Sequence, residues 1–388
     1  MIQNNTLTLT DEATLAYAQE RLKQNLDVKA DGYICTTDDL VHALLAMSVN
    51  KSTLQAVCSD LVGTPDPTTV RGYLNEQLRV EQLTELEQAF NKALREDIPA
   101  RVWRQAQDIA IDQHDRTYYG KTEQEEGLWV RGQAKDGTTR FYRIATVYLI
   151  VHNLRFTLGL RFVLPDDDTV SVLTSLLTQI KELGLPIRRL LLDRGFASIE
   201  VQEYLDQQSI PALICCPIRG KSGGTRALCK GRKGYRTDHT FKSKGRQRTA
   251  QLAVCRVFTT VSRTTRSKRK ATWWVFILIH LDLSPSQVRR LYRRRFGIET
   301  SYRCAGQVRA WTTSSNPAYR FALMAIAIFL LNVWTVLRWR FTQIPRRGGR
   351  RFDATLFQLS RFASFIDRAL LRQYDYVRHI TAVAAPLA

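Results

Sequence analysis

The sequence predicts an α/β fold, a mixed sheet flanked by helices, with a basic β-containing insertion and an N-terminal helical domain. Three observations carry that prediction. Residues 1–100 place apolar side chains at helical spacing between capping residues. From Gln105 the chain turns to short runs rich in Val, Ile, Leu, Tyr and Phe, with helical stretches between them. Residues 217–272 then hold 17 Lys or Arg and a single acid, Asp238, which is +16 of the chain's net +21.

Each element follows from a local signal. Thr10-Asp11 opens a helix over Asp11–Leu26, and the run Thr36 to Asp39 caps another over Leu40–Met47. Leu54–Val62 and Thr68–Leu78 are short helices on either side of a Gly63 to Pro67 break. That pair reads as a helix-turn-helix with Arg71 and Arg79 on its second helix, or as a plain helical hairpin. Gln107–Ile111 is a short strand ending at Asp112. Arg140–Ile150 and Arg155–Leu164 are strands joined by a hairpin-like link at Val151-His152-Asn153. The Pro165 to Asp168 turn caps a helix over Thr169–Leu183, which Gly184 ends. Ile187–Leu192 is an apolar strand ending at Asp193, followed by a helix over Ser198–Gln208 and a strand over Pro211–Cys215. Three strands, a helix, a strand, a helix and a strand, in that order, make a ribonuclease-H-like sheet. Within the basic segment, Gln251–Thr260 and Thr272–His280 are strand-like, while Arg219–Gln247 reads as further β structure or as an irregular basic arm. Ser284-Pro285 starts a helix to Arg295, a second begins at Gly297 or Ile298, and an amphipathic helix over Leu356–Tyr374 follows a basic Gly-rich loop, Arg346–Arg351.

Composition bounds the function. The 388 residues suit two or three domains, and 57 Lys+Arg against 36 Asp+Glu point to a polyanionic partner. Seven cysteines, an odd number without regular spacing, argue against a disulfide framework. A zinc site from Cys215, Cys216, Cys229 and His239 lacks paired spacing. Residues Met1 to Thr10 lack the apolar core of a signal peptide, so a cytoplasmic, nucleoid-associated location is expected. Phe321–Leu337 is apolar over 17 residues, at the short limit for a bilayer crossing, and is expected to be a buried helix.

Two aspartates end apolar strands, Asp112 after Ile109-Ala110-Ile111 and Asp193 after Leu190-Leu191-Leu192. Strand ends are where a sheet exposes side chains to a cleft. Phosphodiester chemistry without a nucleophilic side chain uses divalent metals held by such acids. Asp108 and Asp115 compete with Asp112 for the first position. The blocks Asp112-Gln-His-Asp-Arg-Thr-Tyr-Tyr-Gly120, Asp193-Arg-Gly-Phe-Ala-Ser198 and Tyr292-Arg-Arg-Arg295-Phe-Gly-Ile-Glu299 resemble the three catalytic blocks of DDE transposases of bacterial and archaeal insertion sequences. The resemblance covers roughly residues 105–340. It is strongest to the group with a Tyr-x2-Arg-x3-Glu-x6-Lys signature and a β-rich insertion before the glutamate.

The resemblance implies that Asp112, Asp193 and Glu299 are catalytic and hold two Mg²⁺, with Mn²⁺ able to substitute. Only Asp112 precedes Tyr-Tyr-Gly at the family's spacing. Tyr292, Arg295 and Glu299 share one helical face if their helix is continuous, placing Tyr292 and Arg295 beside the DNA. The signature's lysine falls on Gly306, and Arg303, Gln307 or Arg309 could replace it. Further DNA contacts are expected from Arg71 and from Arg246, Arg248, Lys268, Arg269 and Lys270 of the insertion, since a basic strip tracks phosphates. The expected layout is 1–100 helical DNA-binding domain, 101–216 first part of the core, 217–283 basic insertion, 284–345 glutamate-bearing part and 346–388 C-terminal helical segment. The expected partners are double-stranded DNA, as transposon ends and target, and a second copy of the chain in a synaptic complex. No membrane and no small-molecule substrate are expected.

Overall fold

The computed structural model describes residues 7–123, 127–151, 154–221, 223–243, 245–262, 267–295, 297–344, 351–353 and 355–379. The link at His152-Asn153 and most of the Arg346–Arg351 loop lie outside the described residues.

The N-terminal helices form where the capping residues stand. Thr10 accepts from the Ala13 amide to start α1 (Asp11–Asn25), and a reciprocal Thr36–Asp39 capping box starts α2 (Thr37–Val49). Thr53 caps α3 (Leu54–Asp60), and Asp66 with Pro67 opens α4 (Pro67–Gln77). The two short helices on either side of the Gly-Pro break are therefore present. The strongly amphipathic α5 (Leu83–Arg95) buries Leu83, Leu86, Phe90 and Leu94.

Nine strands form one sheet: β1 (Gln107–Thr117), β2 (Val130–Lys135), β3 (Thr138–Val151), β4 (Leu154–Val163), β5 (Ile187–Leu192), β6 (Ala212–Cys216), β7 (Tyr235–Ser243), β8 (Arg246–Ser262) and β9 (Ser267–Ile279). Leaving out the short β2, the order β4–β3–β1–β5–β6 has an antiparallel half and two strands, β5 and β6, that continue parallel to β1. This is the ribonuclease-H-like arrangement. The helices α6 (Thr169–Glu182) and α7 (Ile199–Gln207) make the crossovers between parallel strands.

The basic insertion extends this sheet. β9 pairs antiparallel with β6 from Ala212↔Ile279 to Cys216↔Val275, and β8 and β7 follow. The β6 edge is thereby covered, and Tyr235–Ser243, inside the stretch that could have been an irregular arm, is a strand. Alternation along β1 sends Ile109 and Ile111 into the core lined by α6 and α7, and Ala110 into the opposite one.

The other edge, β4, is closed by side chains instead of a strand. Asn91 on α5 donates to the Leu160 carbonyl at 3.0 Å and accepts from the Leu160 amide at 2.7 Å. Glu87 accepts from the Phe162 amide and Arg95 donates to the Leu158 carbonyl, each at 2.7 Å. Asn332 pairs with both backbone groups of Thr157, at 2.9 and 2.7 Å, and also reaches the Leu94 carbonyl.

After β9 come α8 (Pro285–Arg293), α9 (Gly297–Ala305), α10 (Pro317–Phe341) and α11 (Leu359–Tyr374). α10 is long and apolar enough to cross a bilayer, but 89% of its apolar window is buried within this chain. α11 packs on α1 and α2: Tyr374 donates to Asp39 and bonds His42, both at 2.8 Å, and Arg372 pairs with Asp11 and Glu12.

Candidate active site

The three aspartates of β1 have separate fates. Asp108 is fully buried and held by three arginines: Arg188 at 2.9 Å, Arg189 at 2.8 Å through two nitrogens, and Arg294. Burial pushes its carboxyl up, and the Arg189 and Arg188 hydrogen bonds more than offset this, so it titrates below the usual range. Asp115 pairs with Arg143 of β3 at 2.6 and 2.9 Å. Asp112, 8% exposed, is the one that meets the second block: Nη2 of Arg295 lies 2.9 Å from its Oδ1 and 3.9 Å from Oδ2 of Asp193.

Local sequence explains the second block. Asp193 ends β5 and caps the turn that follows, its Oδ1 accepting from the Gly195 amide at 2.9 Å. A Cβ on Gly195 would meet that oxygen at 3.1 Å, so a small residue keeps the carboxylate where it is. Phe196 is buried beneath, and Ser198 caps α7 by accepting from Val201.

The third block is where the expected geometry changes. The helix is interrupted between Arg293 and Gly297, so Tyr292, Arg295 and Glu299 do not share one continuous helical face. At this corner a Cβ on Gly297 would fall 1.6 Å from the Arg155 guanidinium, so only glycine lets the β4 arginine lie over the turn. Tyr292 is buried, packed on Phe276 at 4.7 Å and on Trp274 at 5.9 Å, and supports the site from beneath. Arg295, 4% exposed, points inward across the Tyr292 ring to the two aspartates. Glu299 is exposed in the first turn of α9, where the helix dipole favours a carboxylate.

The electrostatics ask for positive charge. Asp112 is pushed up to about 6, first by burial; Arg295 opposes this, and the charges of Asp193 and Glu299 add to it. Two carboxylates meet one guanidinium, and the charge of a third, Glu299, acts on it. All donors are carboxylate oxygens, the ligand type that a hard divalent ion prefers. Among the described residues no three His, Cys, Asp or Glu side chains are gathered tightly enough to enclose an ion. The acids line a site, and it is the charge and the donor type that fit a divalent cation. All seven cysteines are free.

Sequence reasoning missed the support under Asp112. Tyr302 of α9 donates to the Asp112 carbonyl at 3.2 Å, bonds Thr146, and stacks on His114 at 4.5 Å. Its spacing of three from Glu299 was the available signal. His114, two residues along β1, titrates down to about 4 because it is buried and faces Arg309.

The predicted DNA contacts are dispersed. Arg71 is exposed on α4, and Arg303 is exposed on α9. Arg309 is half-buried beyond α9, beside His114. Arg246 and Arg248 pair with Glu203 and Asp206 of α7, both at 3.1 Å, so part of the insertion's charge holds β8 to the core. Lys268, Arg269 and Lys270 are on β9, and their side chains lie outside the described residues.

No curated protein matches the chain. A family model described as "Transposase DDE domain" matches residues 103–333, from just before β1 into α10. That span is more than half of the chain and contains the whole nine-stranded sheet and all three acids. With Asp112 inside β1 and Asp193 at the end of β5 meeting on Arg295, and the glutamate on the next helix, the chain belongs to the DDE transposase family.

Proposed function

We propose that this transposase binds the terminal inverted repeats of an insertion sequence, cleaves at their ends and joins the freed 3′ ends to target DNA. The observation that carries the proposal is the meeting of Asp112 and Asp193, from two neighbouring strands, on one buried guanidinium, with the Glu299 charge acting on both partners. Asp112, Asp193 and Glu299 would hold Mg²⁺, or Mn²⁺ in its place. Held there, divalent metal would supply activation of the attacking oxygen and stabilisation of the leaving one. The chain's own residues set the stage for that chemistry. Arg295 and the Tyr302 hydroxyl fix Asp112 from its side chain and its backbone, and Gly195 fixes the Asp193 carboxylate. Burial of Asp112 keeps water from competing for its oxygens.

The helices of residues 1–100, with Arg71 outward on α4, are assigned to binding the repeat, and residues 217–283 to the flank of the DNA end. The net +16 of residues 217–272 supports that assignment. Action on two ends makes a homodimeric synaptic complex the working assembly, and the nucleoid within the cytoplasm the working location. The test uses repeats read from the DNA flanking the gene. Asp193→Asn and Glu299→Gln are each expected to lower Mg²⁺-dependent cleavage at least about 100-fold while repeat binding stays within twofold. Full cleavage by Glu299→Gln would remove Glu299 from the triad. Cleavage without joined products by the unaltered protein would reduce the function to that of a nuclease.

A further inference from the structure

Beyond the carboxylates, β1 continues toward a cavity of about 620 Å³ that no step of the cutting chemistry uses. Asp112 and Arg116 are four residues apart, and therefore about 13 Å apart along the strand. Arg116, Arg309 and Arg320 line the cavity, with Tyr142 behind and Tyr119 and Trp311 at its mouth. Trp311 is 61% exposed and Tyr119 62%. One acid, Asp136, also lines it, with its backbone carbonyl accepting from the Tyr119 hydroxyl at 2.7 Å.

Three features separate this cavity from an ordinary surface dent. Its cations are not spent on acids: among the described residues Arg116 and Arg309 make no ion pair, and Arg320 donates to the Ser314 carbonyl and lies over the Tyr142 ring. Arg309 is half-buried near Arg320, and the two guanidiniums act on each other unfavourably, a cost that an anion between them would remove. The exposed tryptophan stands on a pinned loop. The Trp311 amide donates to the Ser52 carbonyl at 2.9 Å, and the Tyr142 hydroxyl donates to the Ser315 carbonyl at 2.8 Å. Asn316 closes the same loop onto the Leu78 carbonyl at 2.8 Å. A large aromatic ring held in water by a fixed backbone is a surface prepared for a flat ligand.

We propose that this cavity binds an unstacked nucleotide of the nucleic acid on which Asp112 acts, its phosphate against Arg309 and Arg116 and its base on Trp311. Phosphate and π face together are the chemistry that guanidiniums and exposed indole recognise as a pair. An offset of about 13 Å from Asp112 corresponds to roughly four steps along one strand of B-form DNA. The bases of an intact duplex present no free face, so the ligand is an unpaired nucleotide. The proposal rests on the reading of Asp112 as the cutting site.

The test is anisotropy with the full-length protein and a fluorescein-labelled 20-nucleotide oligothymidylate, beside a blunt duplex carrying the terminal repeat. Trp311→Ala is expected to weaken single-strand binding about tenfold and leave duplex binding unchanged, with Trp311→Phe restoring most of the loss. Arg309→Ala is expected to weaken single-strand binding and lower its salt slope by about 0.7. Wild-type single-strand affinity in Trp311→Ala would overturn the proposal, as would an equal loss on the duplex. Trp311 is exposed, so the fold does not depend on it, and an unchanged melting temperature checks this. Competition by thymidine monophosphate at millimolar concentration would identify a free nucleotide as a ligand, and its failure would restrict the cavity to chain-linked nucleotides. If the unaltered protein binds neither DNA, the transposition reading itself fails, a result distinct from failure at Trp311 alone.

Discussion

Asp108 and Asp112 stand four residues apart on one strand, are the same residue type, and are opposite in their energetics. Asp108 is over-compensated by arginines and Asp112 under-compensated. The folded Asp108 carboxyl titrates below its unfolded value, so its stabilising effect is present at neutral pH and is lost as pH falls. The folded Asp112 carboxyl titrates near 6, above its ordinary 3.8, so the folded chain holds an extra proton between those values. Stability therefore declines as pH rises through that window. At pH 7 Asp108→Asn is expected to cost about 2 kcal/mol, because it removes the charge-assisted hydrogen bonds that a buried carboxylate accepts from Arg188, Arg189 and Arg294. Asp112→Asn is expected to remove the decline in stability between pH 3.8 and about 6 while abolishing cleavage. Urea midpoints at several pH values check both, and an undiminished decline in Asp112→Asn would sink the comparison. These residues also mark how far the sequence could be read. Asp193 stood out because its turn chemistry is local. Apart from the family spacing to Tyr-Tyr-Gly, Asp112 could be separated from Asp108 and Asp115 only through partners 28 to 186 residues away. The inward turn of Arg295 was hidden by the helix break between Arg293 and Gly297, where the Arg155 guanidinium lies over the glycine.

At the scale of elements, strands and helices with their own caps and alternation were legible to within a few residues. What was not legible was pairing across distance. β1 runs to Thr117, well past the apolar run that announced it, because β3 supplies partners as far as Phe141. The basic insertion joined the main sheet because β6 offered an edge, a fact absent from the composition of residues 217–272. The side-chain closure of β4 gives the clearest element-scale prediction. Glu87 accepts from the Phe162 amide in a buried setting, and burial raises its carboxyl to about 7, with that amide and Arg161 opposing. The folded chain thus holds a proton that the unfolded chain releases between about 4.5 and 7, and stability falls as pH rises through that range. Glu87→Gln keeps an acceptor for Phe162 and removes the titration. It is expected to match the parent near pH 5 and exceed it by ~2 kcal/mol at pH 8, read from denaturant midpoints. A parallel pH profile in the two proteins would refute this account.

Over the whole molecule, Asn332 ties α10, β4 and α5 together through three hydrogen bonds made by one buried amide. It interrupts the apolar run of α10 because the sheet needs it there. Asn332→Leu is expected to cost about 2–4 kcal/mol by leaving the Thr157 amide and two carbonyls buried without partners. The measurement is the denaturant midpoint, and an unchanged value would show that water replaces the side chain. The same amide sets a schedule for synthesis. Thr157 and Asn332 are 175 residues apart. At ~5–20 residues per second a ribosome needs roughly 10–35 s to travel that distance. Throughout that interval β4 leaves the exit tunnel with the Thr157 end of its edge unpaired, while Asn91, Glu87 and Arg95 have already been made. The nascent chain is thus open to strand capture at one end of one strand, until α10 arrives to close it.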